Sequence, residues 1–303
     1  MTIALVDGDA ICFIAAASAD GRVYKVGGEE FKYKKDADGY ATDMGIDLSE
    51  VVLEYRPEPE ENAYHNAKTL LQRIVDNLGI KKENVCIGIK RNKDNFRYAI
   101  GPDYKANRKD VRRPFHIDNV TNYLEEHWWT HEITDDREVD DWLGEYATTP
   151  GIPDNDCVIV THDKDLDMIP GKHYRIMRTG EDRIYDVSHA EAYKFFCKQV
   201  LMGDTADNIR GIKGIGPKKA DKIIDPCTSD DELWHTIAEQ YIIATKSAWE
   251  DVVDENYHAV ISSIGDAIDI NASLLWIRRY NWAEYDNPPK GAIALIEQEM
   301  QGR

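Results

Sequence analysis

Eight carboxylates in this chain stand where their types and spacing could do chemistry. Asp7 closes the apolar run I-A-L-V, and Asp163 and Asp165 follow C-V-I-V-T in the string H-D-K-D. Glu138, Asp140 and Asp141 open a segment of helical pattern as E-V-D-D. Asp204 and Asp207 are three apart, a spacing that in a helical turn puts both on one face. If the apolar runs are neighbouring strands, their acidic ends converge with the others on one crevice, and repulsion there calls for cations. Oxygen donors without clustered His or Cys point to Mg²⁺ or Mn²⁺ rather than zinc. Two such ions about 4 Å apart activate a water and stabilise the leaving oxygen of a phosphodiester. Each piece also has a plain structural reading, since acids suit a helix start and D-x-D suits an Asx turn. Their joint placement carries the chemical one.

Separated from Asp207 by three residues comes the stretch G-I-K-G-I-G-P-K-K-A, residues 211–220. Gly214 and Gly216 permit positive φ in a tight turn, and Pro217 suits the first position of a following helix. The free amides of that helix, with Lys218, Lys219 and Lys222, suit a phosphate of a nucleic-acid backbone. Such contacts fix position and carry no base information. The alternative is a glycine turn between two packed helices.

The elements that must position these groups are legible in outline. Residues 3–6, 84–89 and 156–161 read as buried strands. Helices are expected over residues 60–78, where Gly79 stops an apolar face, and over 116–127 and 189–202. The segments Y-R-I-M-R and R-I-Y-D-V bracket T-G-E-D as an edge hairpin. Between residues 22 and 47 the periodicity breaks up, and Asp38-Gly39 reads as the turn of a polar hairpin. Strands alternating with helices imply an α/β fold, a central largely parallel sheet flanked by helices, with function at the carboxyl ends of its strands.

Composition bounds the rest. The chain has 303 residues and a formal charge of -19, which argues against a nucleic-acid partner until its distribution is examined. Residues 81–113 hold eleven Lys and Arg against four acids, whereas residues 29–61 hold eleven acids against four basic residues. Charge is therefore segregated. No apolar run approaches the roughly 18–20 residues of a membrane span. The apolar N-terminus lacks a basic start and is interrupted by Asp7 and Asp9, so it does not read as a leader. Five cysteines with no C-x-x-C pair suggest reduced thiols in a cytoplasmic protein.

The string M-G-D-T-A-D-N-I-R-G-I-K-G-I-G-P-K-K-A resembles the helix–three-turn–helix region of the structure-specific 5′ nucleases, phage 5′–3′ exonucleases and flap endonucleases among them. The resemblance continues in order through L-V-D-G-D, D-Y-K-A-N-R-K, E-V-D-D-W-L-G and V-T-H-D-K-D-L-D-M-I, over most of residues 3–224. It implies a PIN-like core with a two-metal phosphodiesterase site using Mg²⁺ or Mn²⁺. Asp7, Glu138 and Asp140 would hold the first ion. Asp141, Asp163, Asp165 and Asp207 would hold or bridge to the second, with Asp204 outside them. A basic arch at residues 90–127 would bring Lys105 and Arg108 to the scissile phosphate, Tyr104 to stack on a terminal base, and Arg97 to DNA. A monovalent cation, K⁺, would suit the hairpin carbonyls.

The implied substrates are duplex or flap DNA with 5′ ends, and RNA primers in RNA–DNA hybrids, cut by a monomer working with replication proteins in a phage-infected cell. The expected division is a nuclease core over 1–188, with an insertion at 22–60, and a helical DNA-binding region over 189–303 with its hairpin at 204–224. Two features depart from the family pattern. The loop after the second strand offers Asn92 or Asp94 where an aspartate is usual, and the acidic insertion has no counterpart, a surface that repels DNA from outside the cleft being one reading. A catalytically silent DNA-binding protein and a PIN-type ribonuclease are the competing readings.

Overall fold

The computed structural model describes residues 2–109, 111–151, 156–177, 180–248 and 264–280. In chain order its elements begin with β1 (Ile3–Asp7), α1 (Gly8–Ser18), β2 (Asp20–Val26), β3 (Glu29–Phe31), α2 (Lys34–Met44), β4 (Val52–Pro57), α3 (Glu60–Leu78) and β5 (Val85–Lys90). They continue with α4 (Arg97–Ile100), α5 (Ile117–His127), β6 (Trp129–Ile133), α6 (Val139–Ala147), β7 (Cys157–Thr161), β8 (Gly171–Arg175) and β9 (Arg183–Val187). Last are α7 (His189–Met202), β10 (Gly203–Asp204), β11 (Ile209–Arg210), α8 (Pro217–Ile224), α9 (Asp230–Ala248) and α10 (Ile264–Leu275). The proline-interrupted tail near Pro288 lies outside the described residues.

Two compact units emerge. The first takes in residues 1–7, 90–111 and 132 onward. In it β1, β7 and β8 run parallel and β9 closes an antiparallel edge. Ala4, Leu5, Val6, Val158, Ile159 and Val160 are all buried, the unbroken apolar run expected of parallel strands covered on both faces. The register sets Val6 beside Val160, so Asp7 and Thr161 end neighbouring strands. α7 is fixed at its start by a capping box between Ser188 and Glu191. Its buried face carries Phe196, whose ring meets Trp276 edge-on at 4.8 Å between centroids.

The second unit spans residues 8–89 and 112–131. α1, α3 and α5 pack together, with Cys12 Sγ against Thr121 Oγ1 at 3.4 Å. α3 covers Glu60–Leu78 and ends on Gly79 at φ 62°, as its apolar stripe predicts. Beside these lies a small antiparallel sheet in the order β3-β2-β4.

That sheet corrects the expectation for residues 22–47. The turn is at Gly27-Gly28, both at positive φ, and Asp38-Gly39 lies inside α2. Ala37 and Ala41 bury one face of α2 against Val26, Tyr24 and Phe31, and this packing overrides the glycine's poor helix propensity. Some of the acidity is neutralised locally, since Lys25 and Arg56 pair with Glu30 and Glu54. A Cβ at Gly39 would meet nothing within 4 Å. Gly39→Ala is therefore expected to stabilise the protein by up to about 1 kcal/mol, read as a rise in the urea midpoint at unchanged slope.

Candidate active site

The first unit gathers every one of the eight carboxylates. Thr161 Oγ1 donates to Asp7 Oδ2 at 2.9 Å and accepts from the Asp163 N–H at 2.9 Å. Asp163 Oδ1 in turn accepts from the Asp165 N–H at 2.9 Å. One buried hydroxyl thus locks the ends of β1 and β7 and the loop behind them. Thr161 went unnoticed in the sequence because an uncharged residue ending a strand carries no local signal.

Two groups of like charge result. Burial and the charges of Asp7, Asp163 and Glu138 push Asp140 well above the usual carboxylate range. Burial, then Asp163 and Asp204, push Asp165 up to about 7. Asp163 belongs to both groups. Asp204 and Asp207 do not share a helical face, because Asp204 pairs with Ile209 in the β10–β11 hairpin and Asp207 sits in its turn. Gly203 is what admits this hairpin, since a Cβ there would lie 2.2 Å from the Gly211 nitrogen.

The basic segment is stitched to that turn. The Lys105 N–H donates to Asp207 O at 2.8 Å, Asn107 Nδ2 to Thr205 O at 2.8 Å, and Asn208 Nδ2 to Asp103 O at 2.8 Å. Lys105 and Asn208 both adopt left-handed backbone, uncommon for residues with side chains. Lys105 Nζ binds Glu138 and lies 3.6 Å from Asp207, while Arg108 binds Asp207. Burial opposes the charge on Lys105, but Glu138 and Asp207 outweigh it and hold its pKa up.

Three assignments are corrected. Tyr104 is only 4% exposed, its hydroxyl shared between Glu138 and Asp207 at 2.9 Å from each, so its ring offers no face to a base. Arg97, expected on DNA, is buried and forks onto Asp141 at 2.8 and 2.9 Å. Asp141, expected on the second metal, is fully buried in that pair, accepts the Glu138 and Arg278 N–H groups, and stays ionised because Arg97 outweighs its burial. Adjacent residues of a helix point about 100° apart, so Asp140 and Asp141 cannot both face the strand ends.

Asn92 braces its loop, donating to Thr134 O at 2.8 Å and accepting from the Asp94 N–H at 3.1 Å. In the glycine turn Gly214 has φ 82°, but Gly216 is extended at φ -104° and serves as the residue before α8. Ile215, Ala220 and Ile224 turn inward, leaving Lys213, Lys218, Lys219 and Lys222 exposed with the first amides of α8.

The donor set suits a hard divalent cation, being carboxylate throughout, and the mutual repulsion at Asp140 and Asp165 is what such a cation would relieve. It is not a closed coordination set as it stands: among the described residues no three ligating side chains are drawn close enough to hold an ion. Asp165 gives a test with a definite sign. A carboxyl that keeps its proton up to about 7 must lose it to bind a cation, so divalent affinity rises with pH up to about 7 and levels above it. In the absence of metal the same shift makes the fold lose stability as pH rises from about 4 to about 7. Mn²⁺ titration calorimetry at pH 5.5, 6.5 and 8 checks the first, and equal affinities at all three would contradict it.

Residues 55–195 match the family model for the 5′–3′ exonuclease N-terminal, resolvase-like domain. DNA polymerase I of Caldicellulosiruptor bescii is 28% identical over 173 residues, 52% of this chain but only 20% of the polymerase. Flap endonuclease Xni of Shewanella denitrificans is 26% identical over 178 residues, 55% of this chain and 70% of its own length. A T5 protein co-crystallised with metal ions superposes with a TM-score of 0.53 at 15% identity, over 91% of this chain and 89% of that one. At that identity the likeness speaks to the fold, and the fold is the PIN-like α/β nuclease fold with a mostly parallel sheet flanked by helices.

Proposed function

We propose that this chain, whose residues 55–195 match the family model for the 5′–3′ exonuclease N-terminal, resolvase-like domain, hydrolyses phosphodiester bonds at or near the 5′ ends of duplex or flap DNA. The observation that carries this reading is the pair of carboxylate groups sharing Asp163, set beside a lysine and an arginine. Asp7, Asp140 and Asp163 would hold one divalent ion, and Asp163, Asp165 and Asp204 a second. Bound Mg²⁺ or Mn²⁺ supplies an activated water and charge for the leaving oxygen.

The chain's own groups do the remainder. Lys105 and Arg108, clamped on the turn that carries Asp207, offer positive charge to a phosphate. The Tyr104 hydroxyl, 2.9 Å from an oxygen of each, shares its one hydrogen between Glu138 and Asp207 and holds them together. The exposed lysines of the glycine turn and α8 suit the phosphates of a duplex, whose backbone would be gripped without reading bases. RNA primers, a K⁺ at the turn and a role beside replication proteins in phage-infected cells belong to the same reading. All five cysteines are buried and outside any disulfide, which favours a reducing cytoplasm.

Cleavage of blunt and 5′-flap DNA labelled at either end, in Mg²⁺ and in EDTA, tests the proposal. Metal-dependent release of short 5′ products is expected; binding without cleavage in Mg²⁺ and Mn²⁺ would favour a silent binding module. Lys218→Ala with Lys219→Ala is expected to weaken binding to all sequences alike and to flatten the salt dependence by about two in log–log slope. An unchanged slope would remove these lysines from the interface.

A further inference from the structure

We propose that Gln199 is a positioning residue of the carboxylate site, orienting Asp165 with one end of its amide and accepting from cation-bound water with the other. The inference rests on the metal-dependent reading above. Gln199 lies on the buried face of α7 with Ala192, Phe196 and Val200, a place that packing alone would give to an apolar side chain. It is only 2% exposed. Its Nε2 donates to Asp165 Oδ1 at 2.6 Å.

This contact fixes the amide. The NH₂ end faces Asp165, so the amide oxygen is turned away from Asp165 Oδ1. That oxygen, Oε1, is buried and has no hydrogen-bond partner among the described residues. Buried acceptors are almost always satisfied, so this one implies a donor. The charges that act on Asp165 alongside its burial are Asp163, Asp204 and Lys164. None of these three hydrogen-bonds to Oε1, and Lys164 is exposed. Water bound to a hard cation can donate: its oxygen faces the ion and its hydrogens point outward, toward an acceptor such as Oε1. Gln199 would then tie a ligand carboxylate and a bound water to one rigid helix, as outer partners do in metal sites generally.

The test measures Mn²⁺ binding to the full chain without DNA, by electron paramagnetic resonance titration. Gln199→Met, similar in size and apolar, is expected to weaken Mn²⁺ affinity at least about tenfold in the site that Asp165→Asn removes. Its melting temperature without metal should not fall, because an unsatisfied amide has been taken out. Gln199→Lys keeps a donor toward Asp165 but has no acceptor, is expected to weaken the same site, and serves if Gln199→Met does not fold. Titrations of both variants that superimpose on the wild type overturn the proposal while leaving the nuclease reading intact. A wild type that neither binds Mn²⁺ nor cleaves DNA overturns both.

Discussion

Asp163→Asn is expected to lower cleavage of 5′-labelled DNA by roughly a thousand-fold or more, the scale of losing a charge-stabilising group in a closed site. Asp163 acts on both Asp140 and Asp165. Its replacement therefore weakens both candidate ion positions at once, whereas a change at Asp7 or Asp204 would touch one. The variant should nonetheless fold. Asn keeps an oxygen to accept the Asp165 N–H, and the Asp163 N–H still donates to Thr161. Removing one negative charge from a repulsive cluster also means that the melting temperature without metal does not fall. DNA binding should persist, since the lysines of the glycine turn and α8 are untouched. Cleavage at the wild-type rate would refute the site as drawn.

Arg97→Ala should have the largest effect on stability, about 3–5 kcal/mol, because it strands a fully buried carboxylate. Arg97 does more than neutralise Asp141. Its Nε donates to Leu274 O at 2.9 Å and its NH2 to Trp276 O at 2.7 Å, so the substitution also orphans two carbonyls. Equilibrium denaturation in urea measures the loss. Combining Arg97→Met with Asp141→Leu should cost less than the sum of the single changes, since neither charge is then left alone. Simple additivity would show that the pair is not coupled, and a loss under 1 kcal/mol would return Arg97 to a surface role.

The two expectations differ in how far the sequence could announce them. The carboxylates were legible because strand-ending acids and E-x-D-D are local patterns. The partner of Asp141 was not, because nothing local says which of two adjacent acids turns inward, and Arg97 stands among basic residues that read as one exposed face. One signal was present: Glu138 and Asp141 are three apart, the spacing of a capping box, and the structure has that box. Helices with a clear stripe and a stop, such as α3, are as the periodicity predicts. The sheet and helix of residues 20–57 are not, since a D-G pair suits a turn on its own merits and only tertiary packing places it in α2. Gln199 and Thr161 escaped for a further reason: neither is charged, and each matters only through what it touches.

The Arg97 pair also bears on the order in which the chain can be finished. Its partners lie 44, 177 and 179 residues further along. At a synthesis rate of about 5–20 residues per second, Arg97 leaves the ribosome roughly 10–35 s before the carbonyls it needs. For that interval a guanidinium meant for the interior stays in water, and the segment around it cannot settle. The nascent protein thus carries its basic stretch exposed and its crevice unformed until residues 274–276 arrive.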